Sequence, residues 1–167
     1  MPSVSDHLRS SSIKHLNEGR ERLHKCLGLL SEDQVWKRAN TSTASVGNLV
    51  LHLCGNVGQW INSTLGSDAD QRVRDAEFSD TGSLDKSQLL AKLDETMTKA
   101  TTIIGALSDT DLIREFDVQC YRESGTAIIV HVTEHFSYHV GQVTLHTKLL
   151  LDIDTGYYAG QNLNAKP

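Results

Sequence analysis

Four histidines in one late stretch constrain this chain more than any other feature. Between Thr126 and Leu151 the apolar spacing predicts a helix. On it Ile128, His131, His135, His139, Gln142, His146 and Leu149 fall within a strip about 80° wide at 100° per residue. Val132, Phe136 and Val143 flank the strip, and the only full charges before Asp152, Glu134 and Lys148, lie on the opposite face. Such a strip is expected to face an interior. A buried imidazole must satisfy two ring nitrogens, and burial disfavours its protonated form. A divalent cation answers both demands, because neutral imidazole is its natural ligand. His135 and His139, one turn apart, can share one ion.

A second helix, predicted from Ser45 to Leu65, supplies an independent clue. It buries Val46, Leu49, Val50, Leu53, Val57, Trp60 and Ile61 on one side and contains no Asp, Glu, Lys or Arg. Its polar residues nonetheless gather on one strip: Ser45, Asn48, His52, Asn56, Gln59 and Ser63. A solvated face normally carries charge, so an uncharged strip with one histidine reads as the wall of a cavity. His52 is the natural third ligand.

The remaining pattern fits an all-α four-helix domain spanning residues 1–167. A first helix is expected over about 5–30. A third, with an N-cap at Ser83, runs to about Leu107 on the seam Leu90, Leu93, Met97, Ala100, Ile104, Leu107. Gly66–Gly82 reads as a crossing loop containing Glu77 and Phe78. In 108–125 the alternation of Phe116, Val118 and Cys120 predicts an extended connection with a short strand. The tail after Gly156 is expected to be loosely ordered. Only two prolines interrupt the 167 residues, and a formal net charge of −5 without any basic run gives no footprint for nucleic acid. Three widely spaced cysteines without a CxxC pair fit a reducing compartment. With no signal-like or membrane-length apolar segment, a cytoplasmic location and no membrane partner are expected.

Gly47-Asn48-Leu49-Val50-Leu51-His52-Leu53-Cys54-Gly55-Asn56 together with Glu134-His135-Phe136-Ser137-Tyr138-His139-Val140-Gly141-Gln142 resembles the DinB/YfiT-like superfamily of small four-helix proteins regarded as metal-dependent enzymes. The resemblance covers nearly the whole chain. It implies a DinB-like up-down-down-up bundle with long connections between helices 2–3 and 3–4. It also implies one divalent metal on His52, His135 and His139, and activities that include thiol-dependent transfer and metal-dependent hydrolysis. Related proteins are often homodimers.

Three ligands leave coordination positions open, as catalytic sites do. A water could be acidified there, or a low-molecular-weight thiol bound as thiolate. Zinc and nickel both suit an all-imidazole set. The expected function is therefore a metal-dependent enzyme acting on a small molecule, as a thiol S-transferase or a hydrolase; the alternative is a non-catalytic metal-binding or stress-associated helical protein. Asn56, His131 and Gln142 lie one turn from expected ligands and are candidates to contact substrate or tune the site. Gly141 is expected to permit a close helix approach, and His146 to pack or lie at the surface. No carboxylate lies on the histidine strip, which favours thiol transfer over hydrolysis. The single Glu21-x-x-His24 lacks the second copy that a di-iron site needs, and HExxH is absent.

Overall fold

Capping chemistry sets the start of nearly every helix in the computed structural model, which describes residues 1–166. Ser3 caps α1 (Val4–Leu29), Ser31 caps the short α2 (Glu32–Trp36) and Ser45 caps α3 (Val46–Val57), each with a reciprocal bond from the third helical residue. After α3 the helix widens into a π turn over Gly58–Ser63. Two further short helices follow at α4 (Arg74–Ser79) and, after the long α5 (Lys86–Ala106), at α6 (Asp109–Ile113). A β-hairpin, β1 (Glu115–Val118) and β2 (Tyr121–Ser124), leads into α7 (Gly125–Leu151).

The four long helices close a ring in the order α1, α5, α3, α7, so α1 faces α3 and α5 faces α7 across the diagonals. Each diagonal step needs a long connector. The first is filled by α2 and the second by α6 and the antiparallel hairpin, in which Phe116 pairs with Glu123 and Val118 with Tyr121. Leu16, Leu23, Leu53, Ile61, Leu93, Met97, Ile128 and Phe136 fill the centre. No helix among the described residues is long and apolar enough to cross a membrane.

Several local expectations change. The N-cap of α5 is Asp85, not Ser83, because Asp85 and Gln88 complete a capping box while the Ser83 hydroxyl is bonded to Asp80. Leu89 is fully buried at the head of its seam, and Leu90 packs against the core only partly buried. Leu149 is 73% exposed, so the histidine strip leaves the interior before its last member. Gly141 is exposed and a Cβ there meets nothing within 4 Å, so no helix approaches it; the close approach is at Gly19, where a Cβ would come within 2.7 Å of the Phe136 ring. The tail is pinned at Tyr157, whose hydroxyl lies 3.0 Å from Cys26 Sγ and 2.8 Å from Thr144 Oγ1.

Candidate metal centre

The uncharged strip on α3 is a docking track as well as a wall. Asn48, fully buried, donates through Nδ2 to the carbonyls of Glu77 (2.9 Å) and Asp80 (2.8 Å), while its Oδ1 accepts from Ser45 Oγ (2.8 Å). Further along, Gln59 Nε2 donates to Asp70 Oδ2 (2.7 Å), and Gln59 Oε1 accepts from Arg72 Nη1 (3.0 Å) and Gln119 Nε2 (2.7 Å). Amides serve here because each both donates and accepts, and so can bind backbone carbonyls and charged groups from one position. The segment 70–80 is thereby laid along α3 beside His52.

That segment carries a carboxylate to the site. His52 Nδ1–H donates to Glu77 Oε2 (2.8 Å), and Arg72 grips the same carboxylate through Nε to Oε1 (2.7 Å) and Nη2 to Oε2 (3.0 Å). The side chains are only 5% (His52), 9% (Glu77) and 5% (Arg72) exposed. Arg72 Nη2 also lies 3.2 Å from His52 Nδ1, but that ring proton is directed at Glu77, so Nη2 serves the carboxylate and not the ring. Burial pushes the Glu77 carboxyl up, yet the hydrogen bonds from His52 and Arg72 outweigh it and hold the group below the usual range. Gly55 makes the room: a Cβ there would stand 1.9 Å from Glu77 Oε1. With its proton committed at Nδ1, His52 presents the Nε2 lone pair inward.

Opposite, α7 presents three imidazoles. His52 Nε2 and His135 Nε2 are 2.9 Å apart, and one ligand atom each from His52, His135 and His139 lie within 4.8 Å of one another. The three rings meet edge to face at centroid distances of 5.1, 4.9 and 4.5 Å. His139 Nδ1–H donates to Gln142 Oε1 (2.7 Å), which turns its Nε2 to the same point. Burial, reinforced by the neighbouring histidines, pushes His135 down to about 3; His139 is lowered mainly by burial and His131 by burial alone. His135 and His139 are thus neutral nitrogen donors near pH 7.

A model of the DUF1572 family, described as protein of unknown function, matches residues 3–156. The chain belongs to this family. No curated protein matches it. Among solved structures it is similar to a conserved protein from Enterococcus faecalis (TM-score 0.76, 14% identity, covering 92% of this chain and 100% of that one). It is also similar to two DinB-like proteins, YjoA from Bacillus subtilis (0.64, 18%, 84% and 91%) and one from Bacillus cereus (0.66, 13%, 84% and 91%). The fold of this DUF1572 chain is therefore DinB-like.

The donor set of the DUF1572 chain fits a divalent ion. Metal–imidazole bonds of about 2.0–2.1 Å separate the nitrogens of a tetrahedral site by roughly 3.3 Å. The observed range, from 2.9 Å to within 4.8 Å, brackets that value. Beside the triad opens a cleft of about 410 Å³, walled by Asn56, Trp60, Tyr121 and His131 and floored by His52 and His135. A wider groove of about 760 Å³ between α1 and α7 lies apart from the triad, without His52, His135 or His139 in its lining.

The expected site residues thus divide. His52, His135 and His139 come together. His131 stands one turn away, stacked on Trp60 (centroids 4.0 Å, 30°) and parallel to His135 (5.5 Å), where it walls the cleft. Gln142 orients His139, and Asn56 lines the cleft with Oδ1 unbonded. Cys120 sits exposed at the hairpin tip, while Cys54 is buried and pushed up to about 12. His24 bonds Asp94 (2.7 Å), away from the centre. Glu77 and Arg72 are the residues that sequence reasoning missed. Gly55 next to a polar strip on an uncharged helix is the signal that something must approach there.

Proposed function

We propose that this protein is a divalent-metal-dependent enzyme acting on a small molecule, of thiol S-transferase type. The observation that carries the reading is the Arg72–Glu77–His52 chain. A buried carboxylate that fixes one imidazole's tautomer, with two more imidazoles converging on its free nitrogen, is the outer support that metal-binding histidines require. The open cleft beside it favours an enzyme over a storage or sensing protein, because a closed structural site would need no adjoining space.

A bound zinc or nickel ion would supply Lewis acidity for lowering the pKa of a thiol or water. The chain's own part is positioning. Glu77 and Gln142 hold two imidazoles with their protons turned away, and Trp60 and His131 stack into an aromatic wall of the cleft. Glu77 is bound on both oxygens and is not free to take a proton from substrate, which keeps thiol transfer ahead of hydrolysis.

The test begins with elemental analysis of protein purified without an affinity tag, followed by cobalt loading read by visible absorption. Close to one ion per chain, lost in His139→Ala, is expected; protein that takes up neither zinc, nickel nor cobalt overturns the reading. Conjugation of a thiol panel to a panel of electrophiles then separates the enzyme from a binding protein, with turnover expected only in the loaded wild type.

A further inference from the structure

The cleft beside the triad carries charges that the fold does not use. Arg72 is consumed by Glu77 and Gln59. Arg74 is different: among the described residues its guanidinium meets no carboxylate, and it lies over the Phe78 ring at 5.0 Å. Phe78 itself packs against His52 at 4.8 Å, so this free cation is held at the cleft close to the metal ligands. On another wall, Glu123 of β2 is half-buried and makes no ion pair or side-chain hydrogen bond among the described residues. Its field reaches His131, whose ring forms the same wall.

Two neutral groups of the cleft are also unmatched. Asn56 Oδ1 and Trp60 Nε1 are buried without a hydrogen-bond partner, on side chains of residues only 4% and 3% exposed. They lie four residues apart, across the step from α3 into the π turn, and one is an acceptor and the other a donor. Buried polar atoms are ordinarily paired, and an acceptor and a donor left together in one cleft wall call for a ligand or water offering both functions.

We propose that the cleft binds a zwitterionic, amino-acid-like molecule, with its anionic group on Arg74, its ammonium group on Glu123 and a polar linkage over Asn56 and Trp60. The charge pattern decides the class. A simple anion would leave Glu123 facing it unpaired, and a simple amine would meet Arg74. Only a molecule carrying both charges pairs with both groups, and like-charge juxtaposition disfavours a simple anion at Glu123 and a simple amine at Arg74. This deepens the enzyme reading above and rests on it in taking the cleft as the substrate's place.

The test needs no knowledge of the reaction. Isotope-labelled protein, zinc-loaded and metal-free, is titrated by NMR with γ-aminobutyrate, δ-aminovalerate and ε-aminohexanoate. Carboxylates and amines of the same chain lengths serve as single-charge controls. At least one zwitterion is expected to bind about ten-fold more tightly than either control, with shifts in Trp60 and Tyr121. Arg74→Gln should reduce it to the affinity of the amine and Glu123→Gln to that of the carboxylate. The exchange Arg74→Glu with Glu123→Arg should recover part of the loss, which a folding defect would not. Zwitterions that bind no better than the carboxylates overturn the proposal. So does Glu123→Gln that abolishes turnover but leaves zwitterion affinity intact, since Glu123 would then be a proton acceptor. If zinc fails to load while the charge selectivity persists, the metal reading falls and this one stands. If zinc loads and no charge selectivity is found, the metal reading stands and this one falls.

Discussion

The two helices that supply the imidazoles hold them in opposite ways. On α3, His52 is almost wholly buried and tied to a carboxylate that is itself gripped by an arginine. On α7, His135 and His139 are only half-buried; the one is bonded solely to His52, and the other is steadied by a neutral amide. One wall is fixed before any ion arrives, while the other can adjust to it. A site of this kind draws its selectivity for geometry from the tightly held wall and its tolerance from the less constrained one.

Removing a ligand should have the largest effect on metal affinity. His52→Ala and His139→Ala are each expected to weaken cobalt binding by more than the ~10–100-fold that loss of an outer partner costs. A weaker effect at His52 than at His139 would reverse the assignment of the rigid wall. Next comes the support. Glu77→Ala removes the partner of a buried guanidinium as well as the acceptor for His52. A loss of about 3–5 kcal/mol in denaturant unfolding is expected, with metal affinity down ~10–100-fold. The more limited Gly55→Ala leaves every functional group in place yet drives a Cβ into Glu77. Overpacking of about 1–3 kcal/mol is expected, and affinity should fall with it if the position of Glu77 is what matters. Smallest is Gln142→Ala: the α7 wall should re-settle with a loss nearer ten-fold than a hundred-fold. Equal penalties at Glu77 and Gln142 would erase the contrast between the walls.

Acid sharpens the same comparison. The folded pKa values of His131, His135 and His139 are all lowered, that of His135 to about 3. The unfolded chain therefore binds more protons than the folded one below about 6.5. The metal-free protein should be most stable above that pH and lose stability as pH falls, by at most ~1.4 kcal/mol per pH unit for each of the three groups. Glu77, lowered as well, acts in the same direction at lower pH. Urea unfolding between pH 7.5 and 4.5 reads the slope (roughly the range in which the unfolded chain's imidazoles take up protons); a flat profile would mean that the α7 imidazoles are solvated.

The helical part of this picture was legible in the sequence because it rests on periodicity. The histidine spacing on α7 and the uncharged strip on α3 each mark one face of one helix, and the fold places those faces together. Glu77 was not legible as a site residue. It lies 25 residues from His52, in a segment whose own pattern is polar and irregular; what directs it is Asn48 capturing two backbone carbonyls, and backbone groups carry no sequence signature. The short helix around it escaped for the same reason, since six residues are too few to show a period. Leu149 illustrates the converse error. A 3.6-residue repeat fixes which side of α7 a residue occupies, but not how far along the helix its neighbours extend.

Gln59 carries a consequence for motion. Its single carbonyl oxygen receives both Arg72, which grips Glu77, and Gln119 at the tip of the hairpin that walls the cleft. Any displacement of the hairpin would break one of those bonds and leave the amide oxygen to the other. Entry at the rim and tension on the deepest support of His52 are therefore mechanically linked through one side chain. A guest that displaced the hairpin would be felt at His52 before it touched that ring.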